Sequence, residues 1–338
     1  IKSNLAHDLR AGEQLSEGTP MKQQTLAMAA DQTFENHRKP TRRDEFLKTM
    51  ELIVPWSSLC AVIEPHYPKA GNGRPPIGLQ RMLRIHFIQH WFNLADMACE
   101  EALYDSASLR RFVGSDLGRE PGPDSTTITK FRKLLNDNKL GEALFAQVGQ
   151  ELQTRGFKVN TGTIVDATII GAPSSTKNAD KARDPDMHQT RKGQQWYFGM
   201  KAHVGVDADS GITHSLETST AKVHDSQVWD ELLHGDEDSV WADKGYVNAA
   251  RQAAFEEPGK FWGVMRKAPK GSRLQPVDEQ INRLIARVRA KVEHPFRVIK
   301  RQFGYTRTRY RGLAKNRAQL FTLFALGNLF QVRRRLMA

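Results

Sequence analysis

The amino-acid sequence predicts an α/β protein, a mixed sheet flanked by helices and preceded by an all-helical segment. Two changes of pattern carry that reading. From Asp44 to about Gly156 the apolar residues recur near the helical period of 3.6. Near Thr161 they give way to short β-branched runs of strand character. Beyond that point the order is three strands, a helix, a strand, a further strand and a long helix, which is the alternation of a mixed sheet with helices packed on it. A chain of 338 residues, 39% hydrophobic and 26% charged, has the length and balance of a folded protein of one large or two ordinary domains.

Residues 1–40 are polar, contain Gly and Pro, and lack apolar periodicity, so they are expected to be flexible. Met21 within them offers an independent start. Residues 41–156 form the helical part. Leu47, Met50, Leu52, Ile53 and Trp56 mark a first helix, and Leu79, Met82, Leu83, Ile85, His86 and Trp91 a second. The breaks KAGNGRPP (69–76) and LGREPGPD (117–124) punctuate it. Asp124 or Ser125 is placed to cap a helix running through Leu135. In residues 157–338 the strands are GTIVDATII (162–170), Lys201–Val206 and Ile212–Thr218 around the turn DADSG, Ser239–Ala242, and Phe261–Met265. Helices are predicted over Asp225–Leu233, Val277–Phe303 and Leu320–Phe330.

Several classes drop out. The longest apolar stretch, Leu320–Phe330, is interrupted by Gly327 and Asn328 and falls well short of the roughly 20 residues a membrane helix needs. The start of the chain has no apolar signal region. Cys60 and Cys99 are too far apart for a zinc or redox motif and fit a reducing, cytoplasmic setting. The net charge of +12 is unevenly spread. Arg297, Lys300, Arg301, Arg307, Arg309, Arg311, Lys315, Arg317, Arg333, Arg334 and Arg335 follow Glu293 with no acid among them. The rest of the chain is close to neutral. Solvated faces usually mix both signs, so a one-signed segment points to a polyanionic partner, nucleic acid above all.

Three acids stand in positions that ask for a reason. Asp166 lies in the middle of an apolar strand, where an ionised carboxylate is costly unless paired or bound to metal. Asp243 ends the short strand VWAD, and strand ends are where sites gather in α/β sheets. Glu293 sits on the flank of the last long helix, clustered with Arg289, Arg297 and Lys300 at about 100° per residue, and Pro295 beside it should kink or restart that helix. Each has a plain structural alternative: a hydrogen-bonded Asp, a turn-starting Asp, a surface Glu paired with Arg289 or Arg297. Together they supply the hard oxygen ligands that two divalent cations share. Arg191, Lys192, Trp196 and Lys201 form a basic and aromatic stretch suited to phosphate contact or base stacking, with a core Trp as the alternative. Asp225 reads as a helix cap, and His224 as a packing residue.

The segments PKAGNGRPP, LRIHFIQHWFNLAD, GTIVDATIIGAPSSTKN, RDPDMHQTRKGQQWYFGMKAHVGVDADSGITHSLETS, ADKGY and RVRAKVEHPFRVIKRQFG resemble the DDE transposases of bacterial insertion sequences, family five. The resemblance runs from about Arg43 to Phe330. It implies a ribonuclease H-like catalytic core in residues 157–338 and a helical DNA-binding and assembly domain in 41–156. It assigns the catalytic and metal-binding triad to Asp166, Asp243 and Glu293. The motif Tyr-x2-Arg-x3-Glu-x6-Lys falls on Arg289, Glu293 and Lys300, with Ala286 in the tyrosine position. The expected cofactor is a pair of Mg²⁺ or Mn²⁺ ions. The expected partner is double-stranded DNA, both terminal inverted repeats and target, handled by a dimer or higher homo-oligomer at the bacterial nucleoid. Expected DNA contacts are Arg289, Arg297, Lys300, Arg301, Lys201 and Trp196, with Arg307, Arg309, Arg311, Lys315 and Arg317 from the basic segment. A nuclease of the same fold and a regulator that has lost catalysis are the competing readings.

Overall fold

A computed structural model describes residues 39–71, 75–157, 161–179 and 181–338. The flexible segment expected over residues 1–40 lies almost wholly outside the described residues. Residues 40–115 and 122–338 form one compact unit. Residues 116–121 belong to a second unit, and within them Arg119 approaches Asp116 at 3.5 Å.

Among the described residues seven helices come first: α1 (Arg42–Ile53), α2 (Trp56–Ile63), α3 (Leu79–Trp91), α4 (Asp96–Asp105), α5 (Ala107–Val113), α6 (Ser125–Asp137) and α7 (Leu140–Thr154). Their ends follow local chemistry. Thr41 and Asp44 close a capping box at the start of α1. The Asp124 side chain accepts from Thr127 N–H at the start of α6. Helix α3 is central, and every residue from Ile85 to Trp91 is buried.

A six-stranded mixed sheet follows. Strands β1 (Gly162–Gly171), β2 (His188–Lys192), β3 (Gln195–Asp207), β4 (Thr213–Thr220), β5 (Ser239–Ala242) and β6 (Phe261–Val264) run in the order β2-β3-β1-β5-β6, with β4 also on β3. The first strands pair antiparallel, while β5 joins β1, and β6 joins β5, in parallel. This is the mixed sheet that the sequence predicts. One face of it, carrying Ile164, Ile170, Met200, Ala202 and Val204, packs into a core continuous with the N-terminal helices. The helical part and the sheet thus share one core, and about residue 157 the secondary structure changes without a break in the packing. The other face holds a smaller core of Val165, Trp229, Leu232, Val240, Ala242, Tyr246 and Val264.

The C-terminal helix α11 (Leu313–Leu336) is the strut of the first core; helices α8 (Ala249–Phe255), α9 (Pro276–Arg289) and α10 (Glu293–Arg297) precede it. It lies so close to α7 that a Cβ on Gly141 would stand 2.7 Å from the Ala318 carbonyl oxygen. Buried Asn328 clamps α11 to the sheet, accepting from Thr213 N–H (3.0 Å) and donating to Thr213 C=O (2.8 Å).

Three sequence expectations change. Asp225–Leu233 forms two short 3₁₀ turns, Asp225–Val228 and Asp230–Leu232, in place of a helix. The cap there is His224, whose side chain accepts from Ser226 N–H. The long helix over Val277–Phe303 is divided: after α9 come a 3₁₀ turn (Ala290–Val292), α10 and a π-helical turn (Val298–Gln302). Pro295 has no N–H to continue the ladder, which accounts for a break at that place. The helical period over Val277–Phe303 would put Leu284 on the apolar side beside Ile285, yet Leu284 is 58% exposed and Ile285 alone is fully buried along α9.

Candidate active site

Sheet register brings the two aspartates together. In the β1–β5 ladder Gly162 pairs with Ser239, Thr163 with Val240 and Ile164 with Trp241. Continued at the same offset, Asp166 stands level with Asp243, the first residue past β5. Residues level on neighbouring strands point to the same side of the sheet, so both carboxylates belong to the face covered by the C-terminal helices. On that face Thr168, Ile170, Phe296, Ile299, Lys300 and Phe324 line one small cleft. Phe296 and Ile299 are buried there and carry Glu293, itself exposed, to the same side of the sheet.

Each side chain is held differently. Asp166 Oδ1 accepts from Ala167 N–H at 2.8 Å, and Oδ2 lies 3.3 Å from the Arg289 guanidinium. Burial pushes the Asp166 carboxyl up to about 6; the Ala167 hydrogen bond and Arg289 pull it down, and the negative charges of Asp243 and Glu293 push it further up. Asp243 Oδ1 accepts from Gly245 N–H at 2.7 Å. A Cβ on Gly245 would come within 2.9 Å of that same oxygen, so a side chain there would push the carboxylate out of this orientation. Lys300 donates to Thr168 Oγ1 (2.6 Å) and to the Ile169 carbonyl (3.0 Å), along the same strand as Asp166. Burial lowers its pKa, with Lys192 adding to the effect and Glu293 opposing it.

Among the described residues no three acidic, histidine or cysteine side chains stand close enough to hold a metal ion between them. The donor set nevertheless fits a hard cation: carboxylate oxygens, two further negative charges close enough to raise the pKa of Asp166, and one arginine as counter-charge. Arg289 pairs with Asp166 rather than with Glu293.

The expected DNA contacts divide. Arg297, Arg301, Arg307, Arg311 and Lys315 are exposed, and so is Trp196, at 63%, on the β2–β3 hairpin opposite Arg191. Three others are engaged inside the protein. Lys201 is buried on the opposite face of the sheet, 2.8 Å from Asp225 and donating to the Val223 carbonyl. Arg309 donates to the carbonyl and side-chain oxygens of Asn93, each at 2.5 Å. Arg317 joins Glu142 of α7 (2.9 Å) and Glu217 of β4 (2.8 Å). These three positive charges hold the fold together and do not present themselves to a ligand. Among residues the sequence did not single out, Tyr246 is buried within electrostatic reach of Asp225, Asp166 and Asp243. An aromatic residue after an Asp-Lys-Gly turn carries no signal of such a position.

Residues 158–329 match the family described as Transposase DDE domain, and residues 35–134 the family described as Transposase domain (DUF772). Among solved structures, a cryo-EM structure of a piggyBac transposase synaptic complex with hairpin DNA is similar at 10% identity and a TM-score of 0.43, covering 89% of this chain and 78% of that one. Among the described residues no single helix is long and apolar enough to cross a membrane.

Proposed function

This chain belongs to the DDE transposase family, a family of divalent-metal-dependent enzymes that cut and join DNA, and from that premise we propose that it is the transposase of a family-five insertion sequence. It hydrolyses the phosphodiester at the element's terminal inverted repeats and then directs the freed 3′-hydroxyl against target DNA. The observation that carries this reading is the shared level of Asp166 and Asp243 on neighbouring strands of one sheet face.

Asp166, Asp243 and Glu293 are the residues that hold the ions. When bound, two Mg²⁺ or Mn²⁺ ions supply Lewis-acid stabilisation of charge on the attacking and leaving oxygens. Asp166 enters this work ionised, so the burial that raises its pKa is offset by the cations it holds. Arg289 and Lys300, beside Asp166 and Thr168, neutralise the phosphate that enters. Arg297, Arg301, Arg307, Arg311 and Lys315 extend the positive surface along the duplex, and Trp196 offers a flat face to a base. The helical part, residues 41–156, contributes end binding and assembly, and synapsis of two ends calls for at least two protomers at the bacterial nucleoid.

The test is a reaction of purified protein with the native element ends, Mg²⁺ and a target plasmid. Joined products are expected. Cleavage without joining would make it a nuclease of the same fold, and end binding without cleavage a regulator.

A further inference from the structure

Tyr246 is among the largest fully buried side chains of the protein. Its ring packs against Trp229, with centroids 5.7 Å apart, in the core on the far side of the sheet from Asp166. Its hydroxyl has no hydrogen-bond partner among the described residues. Burying a hydroxyl unpartnered costs free energy, and an orphan of this kind calls for a reason. The surroundings supply one. Tyr246 N–H donates to the Asp243 carbonyl, so ring and carboxylate hang from one tight turn. Strand β5 stops at Ala242, and its pairing with β1 ends at Ile164, so among the described residues no strand pairs with that edge of β1 level with Asp243. The 3₁₀ turn that starts at Asp225 packs against the turn of Tyr246, and Lys201 fixes Asp225 from the sheet at 2.8 Å. Burial raises the Tyr246 pKa, and the charges of Asp225, Asp166 and Asp243 raise it further, so the hydroxyl stays a proton donor among carboxylates.

We propose that Tyr246 is a positioning residue of the carboxylate site, its hydroxyl donating to an outward carboxylate oxygen of the Asp166–Asp243 pair when that pair closes on an ion. Carboxylates that turn one lone pair to a cation need donors for the others, and such outer partners set both orientation and affinity. The Lys201–Asp225 pair keeps the ring's end of the turn in place. This inference rests on the carboxylate reading of the site.

The experiment compares wild type, Tyr246→Phe and Asp243→Asn as full-length proteins, without DNA. Mn²⁺ binding is followed by electron paramagnetic resonance, and melting temperature is measured with and without Mn²⁺. Loss of an orphan hydroxyl leaves the metal-free melting temperature of Tyr246→Phe unchanged or higher. Its Mn²⁺ affinity is expected to fall about ten-fold or more, with a smaller Mn²⁺-induced rise in melting temperature. Asp243→Asn is expected to lose the Mn²⁺ response. Tyr246→Phe binding Mn²⁺ as wild type does, while Asp243→Asn does not, would overturn this inference and leave the site intact. Wild-type binding by Asp243→Asn would overturn the carboxylate reading, and this inference with it.

Discussion

The acidic strand ends and the basic segment after Glu293 are both conspicuous as charge, yet folding treats them differently. Asp166 sits within a backbone ladder and Asp243 one residue past the end of β5, at the level that the β1–β5 register projects, so both side chains face one side of one sheet. The basic side chains are long and hang from loops and one helix, so each takes the nearest oxygen. Arg309 goes to Asn93, and Arg317 to Glu142 and Glu217. Only part of the segment remains at the surface. A charge fixed by register keeps its meaning from sequence to structure, whereas a charge on a flexible stem in a crowded fold is often spent on packing.

That contrast can be broken at its strongest point first. Asp166→Asn, Asp243→Asn and Glu293→Gln each remove ligand charge at nearly constant shape. Each should lower single-turnover cleavage on the order of a thousand-fold or more while end binding persists. Near-normal cutting by any one would remove that residue from the site. Next, Gly245→Ala should turn the Asp243 carboxylate, because the new Cβ meets Oδ1 at 2.9 Å. A cleavage loss of about ten-fold or more, with little change in melting temperature, is expected, since the displaced atom is the end of a side chain. A large drop in melting temperature with undiminished activity would mean the turn serves only the fold.

The basic segment gives the third comparison. Arg317→Ala should destabilise by about 1–3 kcal/mol, leaving Glu217 and Glu142 without their partner, and leave the salt dependence of DNA binding unchanged. Neutralising Arg301, Arg307 and Lys315 together should do the reverse. Stability holds, and the slope of log affinity against log salt becomes shallower by roughly two to three. An unchanged slope in the triple variant would move DNA binding to the helical part. The smallest effect concerns pH. The folded-state pKa of Asp166 is raised to about 6, so the metal-free folded protein holds this proton more tightly than the unfolded chain. Its stability should therefore fall as pH rises from about 4 to about 6 and then level off, by at most about 3 kcal/mol. Asp166→Asn should flatten that slope in thermal melts.

What the sequence made legible follows the same division. Strand β1 was plain because its β-branched run has no helical reading of comparable quality, and Asp166 stood out against it. Strand β2, His188–Lys192, was missed because a hairpin strand that is mostly exposed has no apolar alternation to show. Helix α8, Ala249–Phe255, was missed too: it is short and buries no residue fully, so its pattern is faint. The register that aligns Asp243 with Asp166 is a property of pairing between distant segments, invisible in either one. The same holds for Tyr246, whose place depends on where β5 stops.

Around Glu293 the main chain passes through four pitches in succession, from α to 3₁₀ to α to π. A uniform helix keeps time like a clock, and counting residues tells which way each side chain points. Here the clock is reset twice within a dozen residues, since a 3₁₀ turn advances faster and a π turn slower than 100° per residue. The azimuth of Glu293 relative to Arg289 and Lys300 is therefore set by where the resets fall. A substitution at Pro295 or along the π turn can retime the whole segment, turning the acid away from the two aspartates without altering any of the three.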